Sequence, residues 1–177
     1  RAISLFRTTY STVVHAGGHS RPNVLWFGPG APHATVYVPL VVDESLAAAP
    51  TPHSRGSLFE QSDASLWWTV TMIANWIRTA GFKFAILDVR AAQAALEKSF
   101  AETVYSLDAK NYDAQRTNDD MARVAHDTWH RLFKKLVTKF RDDFVLLGDR
   151  PTEVHVTKLF YPQSWLEQVG YFSPIRD

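Results

Sequence analysis

The first third of the chain alternates between short apolar runs and turn-forming residues. Three runs rich in Val, Thr, Tyr, Phe and Trp are each bounded by Gly, Pro or Asn. β-Branched and aromatic side chains favour extended backbone, so the pattern predicts three neighbouring β-strands. The strands are expected within residues 3–16, at 23–27 and at 34–42. Pro39 cannot donate to a ladder, which indicates an edge or a bulge in the third strand.

Beyond residue 62 the apolar positions recur at helical spacing. Three helices are predicted, over residues 62–79, 84–107 and 121–147. Ser62 or Asp63 is the expected N-cap of the first helix, because a short polar side chain can accept from a free backbone N–H there. Gly81 and Gly148 are expected to end the first and third helices.

The other segments are predicted to be connections. Residues 43–61 hold few large apolar groups and are expected to form an exposed loop, and 108–119 a polar link. The aromatic-rich tail at 148–177 is expected to dock on the body, because large aromatic side chains bury a large area. Strands followed by covering helices indicate an α/β (α+β) fold that forms one domain or part of one.

The composition is that of an ordinary globular domain, since 46% of the 177 residues are hydrophobic and 21% are charged. The formal net charge of +1 gives no overall field to attract nucleic acid or an anionic membrane, so neither is predicted as a partner. No apolar run approaches the roughly 18–20 residues that span a bilayer. The absence of cysteine excludes disulfides, thiolate metal ligands and a cysteine nucleophile within these residues. No compartment is indicated.

The amino-terminal sequence predicts that this chain is part of a larger folded unit. The chain lacks an initiator Met and a signal-peptide pattern, and it enters strand-forming sequence within its first residues. We therefore expect a fragment or a processed product.

Arg7, Ser11 and His15 form the candidate substrate-binding group. They lie four residues apart along the first predicted strand, so the two-residue period places all three on one face. The Arg7 guanidinium can hold a carboxylate by two parallel hydrogen bonds, with Ser11 and His15 donating or accepting beside it. Ser11 and His15 are about 13 Å apart on a strand, too far for a nucleophile–base pair. Composition alone favours the alternative, a polar strand face that the rest of the fold satisfies.

His126 and His130 lie at i and i+4 of the third predicted helix, a spacing that zinc sites use. The residue after the first His is Asp127, whereas the zincin motif has Glu there, and no third ligand follows at a recognised interval. Both His residues also fall at the margin of the apolar stripe. Structural packing is therefore favoured over a metal site, and no metal is predicted.

The turn Gly28-Pro29-Gly30 is not a phosphate-binding loop. It lacks the G-x-G-x-x-G form and opens no predicted helix, so no helix N-terminus is directed at an anion. No cofactor is predicted.

A series of short motifs extends over most of this chain. The motifs are Arg7-Thr8-Thr9-Tyr10-Ser11, Val24-Leu25-Trp26-Phe27, Thr35-Val36-Tyr37-Val38-Pro39, Ser65-Leu66-Trp67-Trp68, Asp88-Val89-Arg90 and Tyr161-Pro162-Gln163-Ser164-Trp165. In this order the series resembles the later part of the secernin-like, PepD-type cysteine dipeptidases, which are N-terminal-nucleophile hydrolases.

The resemblance implies a four-layer αββα sandwich that hydrolyses dipeptides with an N-terminal cysteine exposed by processing. It implies that Arg7 and Ser11 line the substrate pocket, while family members often have Gln where His15 stands. This chain departs from the family because it has no cysteine and begins with Arg1. We therefore expect no catalytic residue here, and expect the N-terminal part of the same protein as the partner, with a larger assembly as a further possibility. A catalytically inactive relative is the alternative.

Overall fold

The computed structural model of this chain describes residues 4–18, 21–44, 46–107, 112–141, 144–147, 155–158, 165 and 168. These residues form a mixed α+β protein, as the coarser fold prediction stated. The elements in chain order are β1 (Tyr10–His15), β2 (Asn23–Pro29), β3 (Val38–Val42), α1 (Thr51–Ser54), α2 (Leu66–Thr79), α3 (Phe82–Ser106), α4 (Ala114–Lys139), β4 (Phe140–Arg141), β5 (Phe144–Leu147) and β6 (His155–Lys158).

The first sheet is antiparallel, with β2 between β1 and β3. Among the described residues β3 is an edge strand, as expected from Pro39, which indicated an edge or a bulge. The outward-facing backbone of Val41 in β3 is bonded to α4: Val41 N–H donates to Asn118 Oδ1 at 2.8 Å, and Asn118 Nδ2 donates to Val41 O at 3.0 Å. Because outward positions alternate, Pro39 also faces outward, and its missing N–H costs no ladder bond.

Two strands are shorter than predicted. β1 begins at Tyr10, because residues 6–7 form a turn in which Thr8 N–H donates to Leu5 O at 3.0 Å. β3 begins at Val38, and the residues before it form a loop and not a strand. Residues 34–36 are buried, and a short buried run does not by itself distinguish a loop from a strand.

The segment 30–37 is a buried loop at the centre of the fold. Its backbone carbonyls receive side-chain donors from two helices. Trp129 Nε1 of α4 donates to Ala34 O at 2.8 Å, and Gln93 Nε2 of α3 donates to Thr35 O. These bonds replace the ladder partners that a buried backbone otherwise needs.

The helices α2 and α3 match the prediction closely. The N-cap of α2 is Ser65 and not Ser62 or Asp63; its hydroxyl accepts from Trp68 N at 3.4 Å. Gly81 separates the two helices with φ +94°, a left-handed conformation that glycine adopts at little cost.

The prediction for the third long helix is wrong at both ends. α4 begins at Ala114, seven residues earlier than expected, because the Asp113 carboxylate caps it by accepting from Arg116 N at 2.9 Å. It ends at Lys139, where we expected residue 147. The chain then forms β4 and β5, which pair with each other and with β6 in a second antiparallel sheet.

The predicted loop at 43–61 contains the short helix α1. Most of the tail lies outside the described residues, and so does Gly148; the predicted docking of 148–177 therefore stays a prediction. In the part of the chain that the structure describes, no helix is both long and apolar enough to cross a bilayer.

Candidate functional site

The candidate site is a pair of hydroxyl groups, one on β1 and one at the entry to β3. Ser11 Oγ lies 2.7 Å from Tyr37 OH, and either oxygen can donate to the other. Both side chains are half-buried. The pair is therefore held in place by the fold while part of it stays in contact with solvent.

Gly28 makes this contact possible. It lies between the two hydroxyl residues on β2, directly opposite Ser11. A Cβ added at Gly28 would stand 2.9 Å from Thr35 Cγ2 and 3.1 Å from the Tyr37 ring. Only glycine lets the Tyr37 ring cross the central strand and reach Ser11.

Glu97 of α3 fixes the backbone at the same residue. Its Oε1 accepts from Tyr37 N at 2.9 Å. Burial raises the pKa of the Glu97 carboxyl above its usual value, and the hydrogen bond from Tyr37 opposes that rise. A partly buried carboxylate is thus held behind the hydroxyl pair, on the backbone side of Tyr37.

The structure places the three predicted binding residues differently from one another. Ser11 and His15 lie on the same face of β1. Arg7 is exposed and lies in the turn before β1, so the two-residue period does not extend to it. His15 makes an edge-on contact with Tyr105, whose ring centroid is 6.1 Å away. Ser11 is therefore the one predicted residue that belongs to the hydroxyl pair.

Sequence analysis missed Tyr37 and Glu97. Tyr37 stands inside a motif that was quoted for its likeness to a family, but an aromatic residue in a strand-like run is usually a core residue. Glu97 carried no signal, because glutamate is common on exposed helix faces. Contacts between residues 26 and 60 positions apart cannot be obtained from local periodicity.

A separate contact, between a serine and a histidine, holds the first described residues against the rest of the fold. Ser4 Oγ lies 2.7 Å from His33 Nδ1 and accepts from His33 N at 3.1 Å. The imidazole packs between Phe6 and Phe82, with ring centroids 4.6 and 5.6 Å away, and burial lowers its pKa. His33 Nε2 has no hydrogen-bond partner among the described residues, so no carboxylate orients the ring as a general base requires.

His126 and His130 stack on α4 with ring centroids 5.9 Å apart. His126 Nε2 lies 2.6 Å from Asp63 O, so this imidazole links α4 to the loop before α2. Across the described ranges, no three His, Cys, Asp or Glu side chains are grouped so as to hold a metal ion. The other nitrogen of the His126 imidazole, Nδ1, lies 3.5 Å from Asp127 Oδ1.

Neither a comparison with models of known protein families nor one with curated proteins finds a match for this chain. The resemblance to the cysteine dipeptidases therefore stays a prediction from the motif series alone.

Proposed function

We propose that this chain is the carboxy-terminal portion of a dipeptidase-like hydrolase of the N-terminal-nucleophile class. It supplies strands, covering helices and substrate-orienting side chains of an αββα sandwich. The attacking cysteine belongs to the N-terminal portion of the same protein, because the 177 residues contain no cysteine.

The observation that carries the proposal is the contact between Ser11 and Tyr37. These residues come from two separate motifs of the dipeptidase-like series, and their hydroxyl oxygens are 2.7 Å apart. The fold thus brings together side chains that the family resemblance had only placed in order along the chain.

The chemistry of the hydroxyl pair suits a dipeptide. A dipeptide presents an ammonium group, an amide and a carboxylate within a few ångströms. A hydroxyl can accept from the ammonium group or donate to the carboxylate or the amide carbonyl. Arg7 lies in the turn before β1 and outside the hydroxyl pair, so the dipeptide carboxylate is not assigned to it.

The test compares the complete protein with the isolated 177-residue chain on dipeptide substrates. We expect hydrolysis by the complete protein and none by the isolated chain. Ser11→Ala in the complete protein should raise KM by about tenfold, the effect of losing one substrate hydrogen bond of roughly 1–1.5 kcal/mol. Ser99→Ala, an exposed serine on α3, is the matched control and should leave KM unchanged.

Two results would contradict the proposal. Activity from the isolated chain would show that it carries its own nucleophile. Equal KM values for the Ser11 and Ser99 variants would show that the hydroxyl pair does not meet substrate.

A non-catalytic relative that serves as a structural subunit of a larger assembly is the second candidate. The missing cysteine and the exposed apolar side chains of β1 favour it. The two candidates differ in one measurable property of the complete protein. A processed amino-terminal cysteine, detected by intact mass and terminal sequencing, supports the hydrolase and excludes this alternative.

A further inference from the structure

The outer edge of β1 offers a set of unused backbone hydrogen-bonding groups. Thr9 O accepts from Gly30 N at 2.7 Å, so the backbone N–H and C=O groups of the odd-numbered residues in this strand point towards β2. The alternation of an antiparallel ladder then directs the N–H and C=O groups of Tyr10, Thr12 and Val14 away from β2. Among the residues that the structure describes, no strand pairs with this edge.

The two edges of the sheet differ in how their outward-facing backbone is protected from pairing with another strand. The β3 edge is closed by Asn118, by Glu97 and by Pro39, as described above. β1 has the sequence Tyr-Ser-Thr-Val-Val-His, without Lys, Asp, Glu or Pro, and its pairing with β2 runs through six consecutive residues without a bulge. Charged residues, proline and bulges are the devices that keep a free sheet edge from pairing with other chains. The β3 edge is closed and β1 lacks these devices, which indicates that β1 is normally paired with another strand.

Each face of β1 also carries exposed apolar side chains. On one face Tyr10 and Val14 are 60% and 73% exposed, and on the other Val13 is 57% exposed. A second copy pairing through the same edge would extend the sheet but bring an equally bare strand, so these side chains would stay exposed. The occupant must therefore bring its own layers above and below the strand, as the rest of a folded domain does.

The charge of this stretch further restricts which strand can pair with the β1 edge. Arg7, Tyr10 and His15 are the titratable side chains of residues 4–18, and this stretch has no Asp or Glu. Within the described part of the chain, no carboxylate forms an ion pair with Arg7. An incoming strand with a carboxylate near Arg7 would complement this end of the edge.

We infer that the outer edge of β1 pairs with a strand of the nucleophile-bearing portion of the same hydrolase, apolar on both faces and acidic near Arg7. This inference depends on the proposed function, since it names where the missing portion attaches. It also places the attachment beside the hydroxyl pair, because Ser11 belongs to the same strand.

The test uses amide hydrogen exchange of the complete protein. We expect the amides of Tyr10, Thr12 and Val14 to exchange at least about 100-fold more slowly than in an unstructured peptide, as paired strand amides do. A photo-crosslinking residue at position 12 should join β1 to the other portion of the same molecule. Thr12→Pro, which removes one outward donor, should lower the midpoint of denaturation, whereas Thr12→Val, which keeps it, should not.

Three outcomes would overturn the inference: unprotected edge amides in the complete protein, a crosslink between position 12 of two copies, or equal midpoints for Thr12→Pro and Thr12→Val. If Thr12→Pro fails to fold, the exchange and crosslinking results on the protein with Thr12 decide. Dipeptide hydrolysis is measured on the same sample. Hydrolysis with unprotected amides rejects the inference alone, whereas protected amides without hydrolysis reject the proposed function.

Discussion

At the scale of single residues, the candidate site depends on the lack of a Cβ at Gly28 and on the partial burial of Ser11, Tyr37 and Glu97. The Tyr37 ring crosses the strand at Gly28, and a carboxylate with a raised pKa holds the backbone behind it. Ser11 alone among the predicted binding residues belongs to this cluster. The polar strand pattern identified Ser11, but the residues that complete the site come from a loop and a helix.

Gly28→Ala should displace the Tyr37 ring. Thr35, the other neighbour of the new Cβ, is fully buried and cannot move away easily. We expect a loss of about 1–3 kcal/mol in the free energy of unfolding, as overpacking typically costs. Denaturant unfolding of Gly28→Ala beside Gly18→Ala measures it; position 18 has no neighbour within 4 Å, although its φ of +68° adds strain of its own. A loss at Gly28 no larger than that at Gly18 would count against close packing there.

Because of His53, the free energy of unfolding should decrease as the pH drops below neutral. Burial lowers its pKa from 6.5 to about 4, and neither ring nitrogen has a hydrogen-bond partner among the described residues. The unfolded chain binds this proton below pH 6.5 while the folded state resists it until about pH 4. The contribution to stability is therefore complete above pH 6.5 and lost as the pH falls towards 4, by an amount on the order of 2–3 kcal/mol.

The measurement is the free energy of unfolding at a series of pH values for the protein with His53 and for His53→Phe. Phe fits beside the Phe27 ring, whose centroid is 5.3 Å from that of His53. The variant should show a shallower decline between pH 6.5 and 4. Parallel curves would mean that the imidazole is not protected from protonation in the folded state.

At the scale of elements, the sequence predicted strands and helices wherever one periodicity extended far enough. The stripes of α2 and α3 placed both helices within a few residues. α4 was misplaced because its first two turns are polar outside and depend on Asp113 and Asn118, neither of which belongs to an apolar stripe. Phe140 and Phe144 are four residues apart, so a strand pair continued the helical spacing by coincidence.

Asn118 joins α4 to the edge of β3, and its loss should weaken both. It is buried and makes two hydrogen bonds to the backbone of Val41. Asn118→Ala leaves that N–H and C=O buried without partners, which should cost about 2–4 kcal/mol in unfolding free energy. Asn75→Ala, an exposed asparagine on α2, should change stability by less than about 0.5 kcal/mol. Similar losses for both variants would rule out a special role for Asn118.

At the scale of the whole molecule, composition and periodicity predicted a mixed α+β protein but not its tertiary contacts. The order of strands, the second sheet and the open β1 edge all depend on pairings between distant residues. The prediction of 43–61 as one loop missed α1 for a different reason, because Thr51–Ser54 is too short to show a period. Local patterns define elements, whereas the site arises from what those elements bring together.

The buried loop 30–37 also has a consequence for how this protein can vary. Connections between strands ordinarily tolerate added or lost residues, because they run over the surface. Here α3 and α4 are bonded to successive carbonyls of one connection, at Thr35 and Ala34. An insertion between these two residues would shift one helix relative to the other, so length changes among relatives should accumulate in 43–61 and leave 34–35 constant.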